Sequence, residues 1–151
     1  MSIETAPEDV ERLHMKKDLE GPIEAFEWGR FQINGQIHSE DGEGAGKDIF
    51  VWGGEVSPWT ARKGHRLKPY MVACAFAKDI DILVIGSGVR GAIDVKEKTR
   101  QAIHTAGIER LIIQRTPEAC AIYNRLFHEG ENVALLAHGT CWICIGMHIK
   151  K

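Results

Sequence analysis

Residues 82–91, which read ILVIGSGVRG, constrain the fold of this chain more than any other segment. The apolar run predicts a strand that is buried on both faces, and the closely spaced glycines after it predict a tight loop. Open α/β sheets usually build a ligand crevice on such a strand and loop. We therefore expect an α/β fold with a candidate binding site where this strand ends.

The second half of the chain alternates between predicted strands and predicted helices. Apolar runs predict further strands at residues 111–113 and 133–137, and the helices before them are expected to end at Gly107 and Gly130. Connections of this length require crossovers between parallel strands, which are almost always right-handed. The pattern therefore predicts a mixed, mostly parallel sheet with helices packed on it.

Two short motifs predict where these helices begin. Asp94 and Glu97 have the spacing of a capping box, in which the two side chains bond backbone amides of the first turn. Thr116, which is followed by Pro117, is expected to cap the second helix through its hydroxyl.

The first half of the chain predicts a β-hairpin portion. The pair Asn34-Gly35 is a strong turn signal, and pairing Ile33 with Ile37 on one face favours a three-residue loop over a two-residue loop. The phase of the apolar residues changes at Gly29, which predicts a β-bulge there.

Residues 49–52, downstream of the hairpin, are apolar throughout and predict a strand covered on both faces. Residues 57–68 are expected to form a loop, and a helix is expected to begin at Pro69. This loop holds the main group of basic side chains, which are Arg62, Lys63, Arg66 and Lys68. It is therefore either a solvated loop or a site for an anion or an acidic partner surface.

Length and charge limit the class of protein. A chain of 151 residues is long enough for one compact domain, which we place at residues 23–141. A mobile or helical extension is expected at residues 1–22 and a strand-like tail at residues 142–151. The formal net charge of −2 gives no global field for nucleic acid or for an anionic membrane, and no apolar run is long enough to span a bilayer. The first residues resemble no targeting signal, so a cytoplasmic location is predicted.

The candidate ligand site lies at the carboxyl ends of the strands at residues 82–85 and 111–113. Backbone amides, a cationic side chain and a hydroxyl follow these strands, and the basic loop joins them if it folds over that end. A histidine in that loop could exchange a proton near neutral pH. The candidate ligand-binding residues are Arg62, His65, Gly86, Ser87, Gly88, Arg115, Thr116, Tyr123 and Asn124.

The glycines at 86, 88 and 91 match the pattern G-x-G-x-x-G, but their surroundings do not suit a dinucleotide. The helix is expected to begin only at Asp94, beyond the motif, and Gln114 and Arg115 stand where a ribose-binding acid is needed. The glycines therefore indicate a tight turn, and no cofactor is predicted.

Cys141 and Cys144 form a C-x-x-C pair flanked by His138 and His148, which leaves metal binding or dithiol chemistry as a minor alternative. The residues after Cys144 alternate between apolar and polar, as in a half-buried strand. In an extended strand Cys144 and His148 lie about 13 Å apart, too far to share one ion. We therefore predict no metal site and expect the tail to dock on a neighbour.

Six short motifs occur in a consistent order between residues 26 and 141. They are Phe26-x-Trp-Gly-x-Phe-x-Ile-Asn-Gly35, Trp59-x-x-Arg62-x-x-His65-x-x-x-Pro69, Leu83-Val-Ile-Gly-Ser-Gly88, Gly107-Ile-Glu109, Thr116-Pro-Glu-Ala-Cys-x-x-Tyr-Asn124-x-Leu126, and Val133 to His138 followed by Thr140-Cys141. Together they resemble the Mth-domain family of small α/β proteins. The resemblance implies a three-layer fold around a mixed sheet, with a β-hairpin portion packed beside the α/β half. It implies no established enzymatic activity, and the better known members resemble assembly or interaction proteins.

Two hypotheses for function follow. The first is a non-catalytic module that binds a protein partner, or a second copy of itself, through the tail and exposed strand edges. It follows from the lack of a nucleophile beside a base, of a carboxylate pair and of an intact phosphate loop. The alternative is a small-ligand or anion-binding protein, or an enzyme, that uses the predicted crevice. No catalytic residue is predicted, and the sequence does not identify a small molecule.

Overall fold

The structure of the protein, a computed structural model, describes residue 18 and residues 20–140. Most of the predicted extension at residues 1–22 and all of the predicted tail at residues 142–151 lie outside the described residues.

The described residues form ten strands and four helical segments. The strands are β1 (Ile23–Glu27), β2 (Arg30–Ile33), β3 (Gln36–Ser39), β4 (Asp48–Trp52), β5 (Glu55–Pro58), β6 (Arg66–Leu67), β7 (Ile82–Ser87), β8 (Asp94–Val95), β9 (Arg110–Gln114) and β10 (Val133–His138). The helices are α1 (Ala73–Phe76), α2 (Glu97–Thr105) and α3 (Thr116–His128), and a 3₁₀ helix at Pro69–Val72 precedes α1.

A five-stranded sheet with the order β5-β4-β10-β7-β9 forms the centre of the protein. The three strands β10, β7 and β9 run parallel, whereas β4 and β5 are antiparallel to their neighbours. The helix α2 connects β7 to β9, and α3 connects β9 to β10. These pairings confirm the mixed α/β sheet and its parallel centre.

Alternate residues of the central strands face two separate apolar cores. Val84 and Leu135 belong to one core, which also contains residues of α3 and of the antiparallel sheet β1-β2-β3. Leu83 and Leu136 belong to the other core, which contains residues of α2 and of the 3₁₀ helix. A strand covered on both faces must be apolar at successive positions, which explains the unbroken apolar run at the start of β7. The fold therefore has three layers, with α2 and α3 on opposite faces of the sheet.

The hairpin portion differs from its predicted register. Ile33 pairs with Gln36, so Asn34 and Gly35 form a two-residue loop rather than the predicted three-residue loop. Both loop residues have positive φ angles, of 51° and 80°, as a type I′ turn requires. The predicted bulge at Gly29 is also wrong, because Gly29 lies in the tight turn between β1 and β2, and the pairing is irregular only at the start of β1.

Two short strands, β6 and β8, lie where the sequence predicted part of a loop and the cap of a helix. Residues 57–68 are predicted to form a loop, but both ends of this segment belong to strands. The strand β5 extends to Pro58. Arg66 and Leu67 form β6, which pairs in parallel with β8. Asp94 belongs to β8, so it does not cap a helix. The helix α2 begins at Glu97 behind Lys96, without a hydrogen bond from a capping side chain.

Thr116 likewise does not cap α3, because it is the first helical residue and Arg115 holds the capping position. The hydroxyl of Thr116 donates instead to a carbonyl of β10. Tertiary bonds have therefore taken the place of both predicted caps.

Gly86 provides a test of how tightly β7 and α3 are packed. A Cβ atom at Gly86 would lie 2.9 Å from the Thr116 hydroxyl oxygen and 3.2 Å from the Thr116 Cα. We expect Gly86→Ala to lower the free energy of unfolding by about 1–3 kcal/mol, since the helix has to shift. Urea denaturation measures this change.

Gly53→Ala serves as the control for that measurement. Gly53 has a φ of +63° and no atom within 4 Å of an added Cβ, so its cost arises from the backbone conformation alone. An unchanged midpoint in the Gly86→Ala protein would contradict the close approach of β7 and α3.

Candidate functional site

The candidate site lies where the parallel strands end, and hydrogen bonds join its segments. The Ser87 hydroxyl donates to the Gln114 carbonyl at 3.1 Å. The Gly88 amide donates to the Thr116 hydroxyl at 2.9 Å, and the Thr116 amide donates to the Gly88 carbonyl at 2.9 Å. The ends of β7 and β9 and the start of α3 therefore meet at one edge of the sheet, as the sequence analysis expected.

The Thr116 hydroxyl also joins this edge to β10. It donates to the His138 carbonyl at 2.6 Å while it accepts from the Gly88 amide, and its side chain is fully buried. The Val89 amide donates to the Thr140 carbonyl at 3.1 Å. These groups satisfy one another inside the protein, and their role as ligand-binding residues stays a prediction.

A buried carboxylate, Asp48, lies beside the end of β10. Asp48 pairs in register with His138 across β4 and β10, and the His138 Nδ1 lies 2.6 Å from the Asp48 Oδ1. The Arg62 Nε donates to the other carboxylate oxygen at 2.9 Å. The side chain of His138 is 1% exposed, and those of Asp48 and Arg62 are 11% exposed. Arg62, a predicted site residue, is thereby held at this edge by Asp48, which His138 bonds in turn. Neither Asp48 nor His138 was assigned to this site from the sequence.

Burial and hydrogen bonding set the charges of this group. Burial alone would raise the pKa of Asp48, but the hydrogen bonds and charges of His138 and Arg62 outweigh burial and lower that pKa to about 2. Burial lowers the pKa of His138, although its hydrogen bond to Asp48 opposes this effect. We conclude that Asp48 is ionised at neutral pH, and that a neutral His138 donates its Nδ1 proton to it.

The arrangement leaves the second ring nitrogen of His138 facing Thr140. The Nε2 atom lies 3.5 Å from the Thr140 hydroxyl, and both side chains are buried. Trp59 donates its backbone amide to the Asp48 carbonyl at 2.8 Å, and Arg62 also donates to the Gly64 carbonyl. The hydrogen bonds of Trp59 and Arg62 to Asp48 thus hold residues 59–64 against the sheet.

The other predicted site residues lie in different surroundings. Asn124 bonds both backbone groups of Ile23 at 3.0 Å and 2.8 Å, so it holds the start of β1. Tyr123 is fully buried in the core beneath the hairpin sheet, and burial raises its pKa to about 12. Both are about two helical turns, roughly 10–12 Å, along α3 from Thr116.

Arg115 and His65 lie nearer to the end of β7. The Arg115 guanidinium is 3.8 Å from the Glu118 carboxylate, and a Cβ atom on Gly91 would contact the Arg115 side chain. The His65 carbonyl accepts the Asp94 amide at 2.7 Å, where β6 meets β8.

The pairing of β6 with β8 creates a second candidate site, which we call the basic groove. It is a cavity of about 500 Å³ with four cationic side chains, from Arg66, Lys68, Lys96 and Lys98. Leu67, Pro69, Tyr70 and Thr99 complete its lining. Only the half of this group that lies in the basic loop could be recognised from the sequence, because Lys96 and Lys98 are almost thirty residues away.

Among residues 20–140, no group of three or more His, Cys, Asp or Glu side chains is placed to hold a metal ion. Cys141, Cys144 and His148 lie outside the described residues, so the metal and dithiol alternatives stay predictions. Over the same described range, no helix has both the length and the apolar character that crossing a bilayer requires.

Thr116 allows a test of the bonds at the sheet edge. We expect Thr116→Val to lower the free energy of unfolding by about 2–4 kcal/mol, because it leaves the Gly88 amide and the His138 carbonyl buried without this partner. Thr116→Ser keeps the hydroxyl and is the matched control, with a smaller loss expected. Equal stability of the valine and serine proteins in urea denaturation would count against the bridge.

The group formed by Asp48 and His138 predicts how stability depends on pH. The folded pKa of His138 is lowered from 6.5, so the unfolded chain takes up that proton first and stability falls as pH drops below about 6.5. Asp48 adds a second loss as pH falls from 3.8 towards 2. Thermal unfolding between pH 8 and about pH 2 measures both steps.

His138→Asn retains a donor for Asp48 and removes the titrating ring, so the first of these steps should become smaller. What remains of it comes from His38, whose burial also lowers its pKa. The second step should shrink as well, because His138 helps to lower the pKa of Asp48, and Arg62 supplies what remains. His104→Asn changes an exposed histidine of α2 and should leave both steps in place. A His138→Asn protein with the unaltered pH profile would refute the assignment.

Solved structures with the same fold are found in several organisms. A conserved hypothetical protein from Pyrococcus horikoshii OT3 is 19% identical, with a TM-score of 0.65 over 79% of this chain and 98% of that chain. A structure described as an outer membrane protein from Bartonella henselae is 20% identical, with a TM-score of 0.66 over 84% of this chain and 99% of that chain. A Bordetella pertussis protein described as an Mth938-like domain is 16% identical, with a TM-score of 0.52 over 92% of each chain. At these identities the similarity establishes the fold alone.

The sequence of residues 23–138, more than half of the chain, matches a family described as "Protein of unknown function (DUF498/DUF598)". Together with the Mth938-like neighbour, this match confirms the resemblance drawn from the six motifs. The chain belongs to the DUF498/DUF598 family of proteins of unknown function.

Proposed function

We propose that this protein is a non-catalytic binding module that holds an anionic group, a phosphate or a carboxylate, in the basic groove. The observation that carries the proposal is the convergence of four cationic side chains from two separate segments on one cavity. The chain as a whole has a formal net charge of −2, so this positive charge is concentrated locally.

The cations of the groove have few acidic partners among the described residues. The Lys96 ammonium lies 3.0 Å from the Asp94 carboxylate, and both side chains are about half exposed. Exposed ion pairs contribute little to stability, so Lys96 remains able to exchange Asp94 for a ligand anion. The first turn of α2, which begins at Glu97, adds the positive end of its helix dipole.

The lining of the groove favours binding over catalysis. It contains no carboxylate, histidine or cysteine, and these are the groups that most often act as bases or nucleophiles. The Thr99 hydroxyl is buried and donates to the Leu67 carbonyl, so it is already engaged. A volume of about 500 Å³ is within the range of small-molecule sites.

The hypothesis of a protein partner or of self-association has different support. It depends on the tail at residues 142–151, which lies outside the described residues, and on exposed strand edges. It stays a prediction, as does the cytoplasmic location. The crevice formed by Gly86, Gly88 and Thr116 is the weaker candidate for an anion, because the Gly88 amide and the Thr116 hydroxyl already bond each other.

Charge reversal tests the proposal. We expect Lys98→Glu to weaken the binding of inorganic pyrophosphate by roughly tenfold, since a cation of the groove becomes an anion. Isothermal titration calorimetry at low and high salt measures the affinity, which should fall as salt screens the charges.

Arg125→Glu is the matched control for Lys98→Glu. Arg125 is an exposed cation of α3, on the opposite face of the sheet, so its reversal changes the net charge equally without altering the groove. Pyrophosphate binding that is absent, or that both variants weaken equally, would contradict the proposal.

A further inference from the structure

We infer that the ligand of the basic groove is a phosphorylated compound that carries a planar aromatic ring, of the nucleoside diphosphate type. The inference rests on the proposed function and adds Tyr70, which lines the same cavity as the four cations. The ligand would place its phosphates among the cations and its ring against the Tyr70 ring.

Tyr70 presents an exposed aromatic ring at the edge of the groove, on a backbone that its neighbours hold in place. Its side chain is 58% exposed, and within residues 20–140 no other large apolar side chain is exposed to this degree. Its neighbours Met71 and Val72 are buried, and the Trp59 indole donates to the Met71 carbonyl at 2.7 Å. The 3₁₀ helix that carries the ring is thus anchored by the two residues that follow Tyr70, so little backbone entropy is lost when a planar group stacks on the ring.

The charge of the groove matches a diphosphate better than a single phosphate. The groove has four cationic side chains, and one of them, Lys96, is paired with a carboxylate. Its net charge is therefore about +3. A terminal phosphate carries a charge of roughly −1.5 to −2 at neutral pH. The second phosphate of a diphosphate ester adds about one more negative charge, so a diphosphate comes close to balancing the positive charge of the groove. Lys and Arg side chains are the usual protein partners of such groups.

The boundaries of the positive charge favour a small ligand over a nucleic acid strand. Glu97 lies on the neighbouring face of α2, where it accepts a hydrogen bond from Gln101 and lines a separate cavity. A nucleic acid needs a continuous track of cations along its backbone, whereas the cations here are confined to one cavity.

Three probes separate the contributions of the phosphates and of the ring. Calorimetric titration with ADP, with inorganic pyrophosphate and with adenosine compares the complete ligand with its two parts. We expect ADP to bind on the order of tenfold more tightly than pyrophosphate, because stacking of a base on an aromatic ring adds to the charge contacts. Adenosine alone should bind weakly.

Variants of Tyr70 assign the difference to the ring. Tyr70→Ala should reduce the affinity for ADP to that for pyrophosphate and leave pyrophosphate binding unchanged. Tyr70→Phe, the matched control, keeps the ring and should keep the preference for ADP.

The outcomes distinguish this inference from the proposed function. Equal affinities for ADP and pyrophosphate, or an equal loss of both in Tyr70→Ala, would overturn the aromatic ligand and leave anion binding standing. Failure of pyrophosphate and ADP alike to bind would overturn both.

Discussion

The buried carboxylate of Asp48 is the group on which the arrangement of this protein depends. One oxygen accepts a hydrogen bond from His138 at the end of β10, and the other accepts from Arg62 in the segment after β5. A carboxylate that is about nine-tenths buried keeps its charge only while such partners stay in place. The contact therefore holds residues 59–64 against the sheet, and this segment leads directly into β6 and the basic groove.

The same interactions explain why the groove, and not the edge of the sheet, is the better candidate for binding. In open α/β sheets a ligand usually occupies the crevice at the carboxyl ends of the strands. Here the Thr116 hydroxyl links the Gly88 amide to the His138 carbonyl, so the chain uses for its own stability the groups that a ligand would bind. The site that we propose lies beside the sheet instead, where β6 and β8 bring together four cations that the described acidic side chains neutralise only in part.

Much of the fold could be predicted from the sequence, but less of the candidate site. The apolar run at the start of β7 and the turn signal Asn34-Gly35 act locally, and both gave the correct type of element. The capping motifs failed because Asp94 and Thr116 form bonds to distant parts of the chain that replace the expected caps. Arg62 could be singled out as part of a basic loop, but its partner Asp48 could not, because a single aspartate before an apolar strand carries no signal of its distant partners.

The sequence by itself determined the order and type of the main elements and the two-faced burial of the central strands, since hydrophobic periodicity depends only on neighbouring residues. Only the tertiary structure decided which polar groups meet. Asp48 and His138 are 90 positions apart and become partners because β10 lies between β4 and β7 in a particular register. Lys96 and Lys98 reach Arg66 and Lys68 only because two short strands pair, and strand order and register are set by the packing of the whole domain.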